Sequence, residues 1–174
     1  MKLEFVGKIN FGQHVDITDP RYDSTYWRLI VDAAPGINDF QIEPGEYSCF
    51  VSYKDEGLYG TRVEAIAIAK KKKHLIGAGK LELAGFIGVD SRMAGFFERK
   101  PDFTIEESYE FYDLTAGKQK VFYSPDGEYL CKGFFSTSGD GEYPFYKHMN
   151  EEGVPNALLL KFCRKPLHYP VRKT

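Results

Sequence analysis

No stretch of this chain approaches the roughly 18 consecutive apolar residues that a bilayer-spanning helix needs. The first ten residues, MKLEFVGKIN, alternate apolar and polar positions and lack the apolar core of a secretory signal, so they read as a first strand. Neither membrane insertion nor export is indicated, and a cytoplasmic protein is expected. Cysteine is sparse: Cys49, Cys131 and Cys163 are odd in number, far apart, without metal-ligand spacing and set among apolar or aromatic neighbours. Reduced core thiols fit that pattern better than a disulfide framework. The four histidines, His14, His74, His148 and His168, show no His-x-x-x-His spacing, which disfavours a zinc site. His14 shares a strand face with Asp16, a weak signal by itself. No serine lies in a G-x-S-x-G elbow, so a hydrolase triad has no support.

Strong charge of either sign is also missing. The net charge of −2 argues against a general affinity for nucleic acid or anionic membranes. The sharpest local run, Lys70 to His74 (KKKKH), reads as a solvated strand end or loop. Gly77-Ala78-Gly79-Lys80 follows, but its glycine spacing is wrong for a phosphate-binding loop. A strand-like LELAGFIGV comes next, not a helix whose N-terminus would hold phosphate.

What the chain does have is aromatic residues and glycine. Fourteen Phe, twelve Tyr and 17 Gly in 174 residues favour a β-rich fold over a helical bundle. The length suits a single domain, 1–174, with a basic, proline-broken tail from 164 that is expected to fray. Strands are predicted over Leu3 to Phe11, His14 to Thr18, Trp27 to Val31, Glu46 to Tyr53, Arg62 to Ala69 and the two halves around Asp90. Further strands are predicted over Lys120 to Tyr123, Glu128 to Phe135, Tyr143 to His148 and Asn156 to Cys163. Ala33 to Glu43 reads as an irregular connection. Arg62 to Ala69 is apolar on both faces, as a central strand covered on both sides would be.

One helix is predicted, at about 104–115. Thr104 and Glu107 form a T-x-x-E capping box, and Ile105, Tyr109 and Tyr112 fall on one face with Phe111 beside them. The expectation is an antiparallel β-sandwich or partly closed barrel of nine or ten strands, with one short covering helix.

Three polar turns carry the candidate site. Asp19 lies in TDP, Asp90 in VDS and Asp140 in GDG, with Tyr22, Ser91, Arg92 and Tyr143 beside them. Each aspartate alone is more often a turn residue, because its side chain bonds nearby amides. Convergence at one sheet edge would instead build a polar binding site or a hard-cation site. Arg92 beside Asp90 provides a cation that competes with a metal for that carboxylate, so an anionic or polar ligand is favoured and no metal or other cofactor is expected. The aromatics of RYDSTYW and of Tyr143-Pro144-Phe145-Tyr146 read mainly as packing.

VDITDPRYD, IGVDSRMAGFFE and SGDGEYPFYKHMNEEGVPNALLLKF together resemble, in order, three blocks of an uncharacterised bacterial and phage family, domain-of-unknown-function family 4241. The resemblance covers about a third of the chain and implies a small β-rich domain whose three turns belong together; it implies no activity. The departure is Arg92, at a turn position where that family carries glycine, a residue that suits positive φ. The function expected is a binding module for a small polar or anionic ligand or a protein partner, in the manner of a sequestering or anti-defence protein. The rivals are an immunity-type interaction protein without a pocket, and a metal-assisted hydrolase using Asp19, Asp90 and Asp140.

Overall fold

Period-two alternation is strongest around Tyr47, Cys49 and Val51. In the computed structural model this segment is strand β4 (Gly45–Asp55), with all three side chains buried. The structure describes residues 1–21, 36–76, 81–89, 91–116, 121–137 and 139–162. Within them, β1 (Glu4–Phe11), β4, β5 (Thr61–Ala69), β11 (Pro155–Lys161), β10 (Gly141–Met149) and β6 (Glu82–Val89) form, in that spatial order, a six-stranded sheet. A five-stranded sheet runs β3 (Ile37–Gln41), β2 (His14–Thr18), β7 (Met93–Phe97), β9 (Gly133–Thr137) and β8 (Val121–Ser124). All pairings are antiparallel. Among the described residues the architecture is a β-sandwich with one short helix, and the two sheets do not close into a barrel.

The inner faces meet in one core that includes Ile9, Val15, Tyr47, Ile66, Phe96, Phe134, Phe145 and Leu158. The central strands are covered on their outer face as well. Phe50, Ala65, Ala67, Ala69 and Leu159 form a second buried cluster there, so β5 is apolar on both sides, as its sequence requires. On the outer face of the five-stranded sheet, Phe97, Phe122 and Phe135 pack beneath helix α1 (Ile105–Thr115).

The helix starts where the capping box placed it. Glu107 N donates to Thr104 Oγ1 at 3.2 Å, and Thr104 N donates to Glu107 Oε2 at 2.8 Å. Its buried face is not the expected one. Ile105, Tyr109 and Tyr112 are 74%, 68% and 51% exposed, while Phe111 is fully buried. The ring of Phe111 stacks within 4.9 Å of Phe103 and 5.7 Å of Phe135, centroid to centroid. One phenylalanine that fits a ring-lined site sets the rotation of the helix against Ile105, Tyr109 and Tyr112 together.

Two strand boundaries also differ from expectation. Residues 37–41, read as connection, form β3, because the buried carboxylate of Asp16 accepts Asp39 N at 2.8 Å and Lys100 N with its other oxygen. Asp39 takes a left-handed φ of 54° there. After β8 the chain does not turn back in a tight hairpin. Ser124 Oγ donates to Cys131 O at 2.7 Å and accepts Tyr129 N at 3.2 Å, so residues 125–132 are an irregular loop and β9 begins at Gly133. The predicted strand Trp27 to Val31, the Gly77–Lys80 segment, Cys163 and the 164–174 tail lie outside the described residues. No helix among those residues is long and apolar enough to cross a membrane. Cys49 and Cys131 are free and buried, and burial pushes both thiols up to about 12, so they stay protonated.

One edge of the sandwich is stitched by a single side chain. Tyr123 on β8 lies over Gly7 of β1, where any Cβ would come within 2.5 Å of its ring. Its hydroxyl accepts Lys8 N at 3.1 Å and donates to Lys8 O, replacing the neighbour that edge strand β1 lacks. Tyr123→Phe keeps the ring and removes both bonds at a site open to water. A loss of about 1 kcal/mol in urea unfolding is expected, together with faster amide exchange at Lys8.

Candidate functional site

Two connections pass between the sheets side by side. Val89 at the end of β6 pairs with Gly141 at the start of β10, and Met93 at the start of β7 pairs with Thr137 at the end of β9. The β6–β7 and β9–β10 corners are therefore neighbours. Thr18 of β2 pairs with Gly95 of β7, which brings the end of β2 to the same edge. The three polar turns of the sequence do meet, but their side chains have different surroundings.

Asp19 is fully buried and faces into the fold. Its Oδ1 accepts Arg21 N at 2.9 Å and the Ser91 hydroxyl, and its Oδ2 accepts Ser91 N at 2.6 Å. A carboxylate so engaged clamps the β6–β7 corner to the end of β2. The next residue, Arg92, has φ 64°, the left-handed conformation that glycine adopts freely and a long side chain adopts at a cost. The turn thus has the backbone that glycine would suit while carrying arginine.

Arg92 lines an open cleft of about 680 Å³ with Asp140, Gly139, Thr137 and Tyr143 from the β9–β10 side. Glu56, Tyr59, Arg62, Val63 and Phe162 form the rest of its wall. The floor is apolar: Val63, Tyr143 and Phe162 are buried, with Tyr143 and Phe162 edge-to-face at 5.3 Å. Tyr143 is held by donating its hydroxyl hydrogen to Gly139 O at 3.0 Å. Arg62 is already engaged, with Nε 3.4 Å from Glu56 Oε2 and its guanidinium 5.6 Å from the Tyr59 ring centroid. Neither Arg92 nor Asp140 forms an ion pair with a described residue.

Of the residues expected at the site, Arg92, Asp140 and Tyr143 share this cleft, and Asp19 and Ser91 form the support beneath its corner. Tyr22 and Asp90 lie outside the described residues. Among those described, no three His, Cys, Asp or Glu side chains group as a metal site. No family model, curated protein or solved structure matches the chain. Sequence reasoning missed the β4–β5 contribution. Glu56 and Tyr59 sit in Lys54 to Gly60 (KDEGLYG), which reads as a hairpin-like loop, and Arg62 opens the strand predicted after it; an aromatic between opposite charges was the signal present. Phe162 and Val63 carry no such signal, since apolar residues at strand ends look like core.

Proposed function

We propose that the protein is a binding module that holds a small anionic ligand in the cleft between the β6–β7 and β9–β10 corners. The observation that carries this reading is Arg92: a guanidinium without an ion pair to a described residue, on a residue in left-handed conformation, beside an apolar floor. Backbone strain of this kind costs about 1–3 kcal/mol and is commonly kept where a side chain must be presented in one direction. A guanidinium offers paired donors to a carboxylate or phosphate, and Asp140 offers an acceptor for a donor on the same ligand. The volume falls within the usual 300–1,000 Å³ of small-molecule sites. The hydrolase reading is weaker, because the carboxylate of Asp19 is turned away from the cleft into backbone bonds. Membership of the family that the three sequence blocks resemble, and a cytoplasmic setting in a bacterium or phage-infected cell, belong to the same proposal.

Arg92→Gly tests it directly. Stability is expected to be unchanged or raised by up to about 1 kcal/mol, since glycine relieves the strained φ at some entropic cost. Thermal-shift responses to a panel of di- and tricarboxylates should meanwhile disappear. A panel in which no compound shifts the wild type more than the variant sinks the reading. A second reading, docking of a protein partner, rests on the exposed Ile105–Tyr109–Tyr112 face of α1. It would be favoured if Tyr109→Glu abolished capture of a single host protein while Arg92→Gly did not.

A further inference from the structure

β5 carries the first cleft at its start, near Arg62, and a second cleft of about 720 Å³ beyond its end. The second cleft is built on the KKKKH run and the β10–β11 hairpin. Two of the four lysines have partners inside the fold. Lys70 Nζ donates to Pro44 O and lies 5.0 Å from the Tyr47 ring centroid, and Lys72 Nζ lies 5.7 Å from that of Phe50. Lys71 and Lys73 form no ion pair with a described residue, and both line the cleft.

Beside them the imidazoles of His74 and His148 stack face to face, with centroids 4.5 Å apart and planes within 3°. His148 Nδ1 lies 2.8 Å from Oδ1 of the buried Asn156. The amide oxygen accepts, so Nδ1 carries the hydrogen and Nε2 is the nitrogen that gains or loses a proton. Imidazoles this close take up one proton readily and a second with difficulty. The carboxylates in the lining of the same cleft are Glu43, whose Oε2 accepts Asn150 Nδ2 at 3.0 Å, and Glu151 and Glu152 at the hairpin tip.

We propose that this cleft is a second, independent site that binds a compact phosphate dianion, free or as a monoester, between Lys71, Lys73 and the His74–His148 pair. Ammonium groups are compact, strongly charged donors suited to phosphate, and a singly protonated imidazole stack adds a third cation without internal repulsion. The three glutamates that share the lining repel an extended polyanion such as nucleic acid, leaving room for one phosphate group. Bound phosphate favours the imidazolium, so protonation of the stack and phosphate binding reinforce each other. Below about 6 the phosphate loses its own second charge, and affinity falls.

The test follows the Cε1–H NMR signals of the four histidines during titration with inorganic phosphate and with glucose 6-phosphate, against a chloride control of matched ionic strength. Two signals, those lost in His74→Gln and His148→Gln, are expected to shift, with tighter binding at pH 6.5 than at pH 8. A Lys71→Ala/Lys73→Ala variant should bind about tenfold more weakly or worse, while Arg92→Gly leaves the titration unchanged. Tighter binding of the ester identifies a phosphorylated metabolite as the occupant, and equal binding identifies free phosphate. The proposal is overturned if neither ligand moves these signals beyond the chloride control, or if the double lysine variant titrates like the wild type. Loss of the response in Arg92→Gly overturns the independence of the two sites.

Discussion

Asp19→Ala is expected to lower the unfolding free energy by about 3–5 kcal/mol, among the largest single effects in the molecule. The side chain is fully buried and accepts Arg21 N, Ser91 N and the Ser91 hydroxyl. Alanine leaves those half-buried donors without their acceptor, and each orphaned donor costs about 1–3 kcal/mol. Asp19→Asn keeps the shape but points an N–H₂ group at one of the donors, so it should fall between wild type and alanine. Ser91→Ala removes only the hydroxyl contact, and a loss of about 1 kcal/mol is expected. The measurement is the urea midpoint at constant slope. If Asp19→Ala stayed within 1 kcal/mol of the wild type, the carboxylate would not be the clamp of the β6–β7 corner. The orientation of Arg92 would then need another cause.

Gly95→Ala is expected to be comparably severe, at about 3 kcal/mol or more, or to abolish folding. A Cβ at this position would lie 2.3 Å from Phe135 Cβ, 2.5 Å from Phe134 O and 2.5 Å from Phe135 Cα. Backbone atoms cannot rotate away as the end of a long side chain can, so relief requires β7 and β9 to separate. Those strands sit mid-sheet and carry the two sheet-crossing corners, so separation would spread the candidate site as well as the core. Gly127→Ala, in the irregular loop with no atom within 4 Å of the added methyl, is the control; its φ of 90° costs about 1–2 kcal/mol without any clash. Comparable thermal midpoints for the two variants would refute the steric account.

The legible parts of the chain were those whose signal is local. The Thr104–Glu107 box marked the start of α1 because both reciprocal bonds lie within three residues of each other. Arg62 to Ala69 declared a doubly covered strand because its run from Ala65 to Ala69 is apolar on both faces. The three polar turns could be listed from their Asp, Gly and Pro residues, and Arg92 stood out as the least expected member. The face that α1 buries was misread, because Phe111 outweighs Ile105, Tyr109 and Tyr112 only when a ring-lined site waits for it on the sheet. β3 was missed because its partner, Asp16, lies 23 residues away and no local pattern records that bond.

By itself, then, the amino-acid sequence determined a β-rich chain with one capped helix, strands of period two and polar turns that include Asp19, Ser91, Arg92 and Asp140. These follow from backbone propensities and side-chain alternation, which act over a few residues. Only the tertiary structure decided what each turn residue does. The crossings from β6 to β7 and from β9 to β10 set Asp19 beneath the corner as a buried acceptor and left Arg92 and Asp140 facing one cleft. The same long-range pairing set His74 on His148 beside Lys71 and Lys73. Whether a carboxylate supports a turn or faces a ligand depends on which strand lies next to it. That neighbour is chosen by burial of the shared core, a property of the whole chain and of no single stretch.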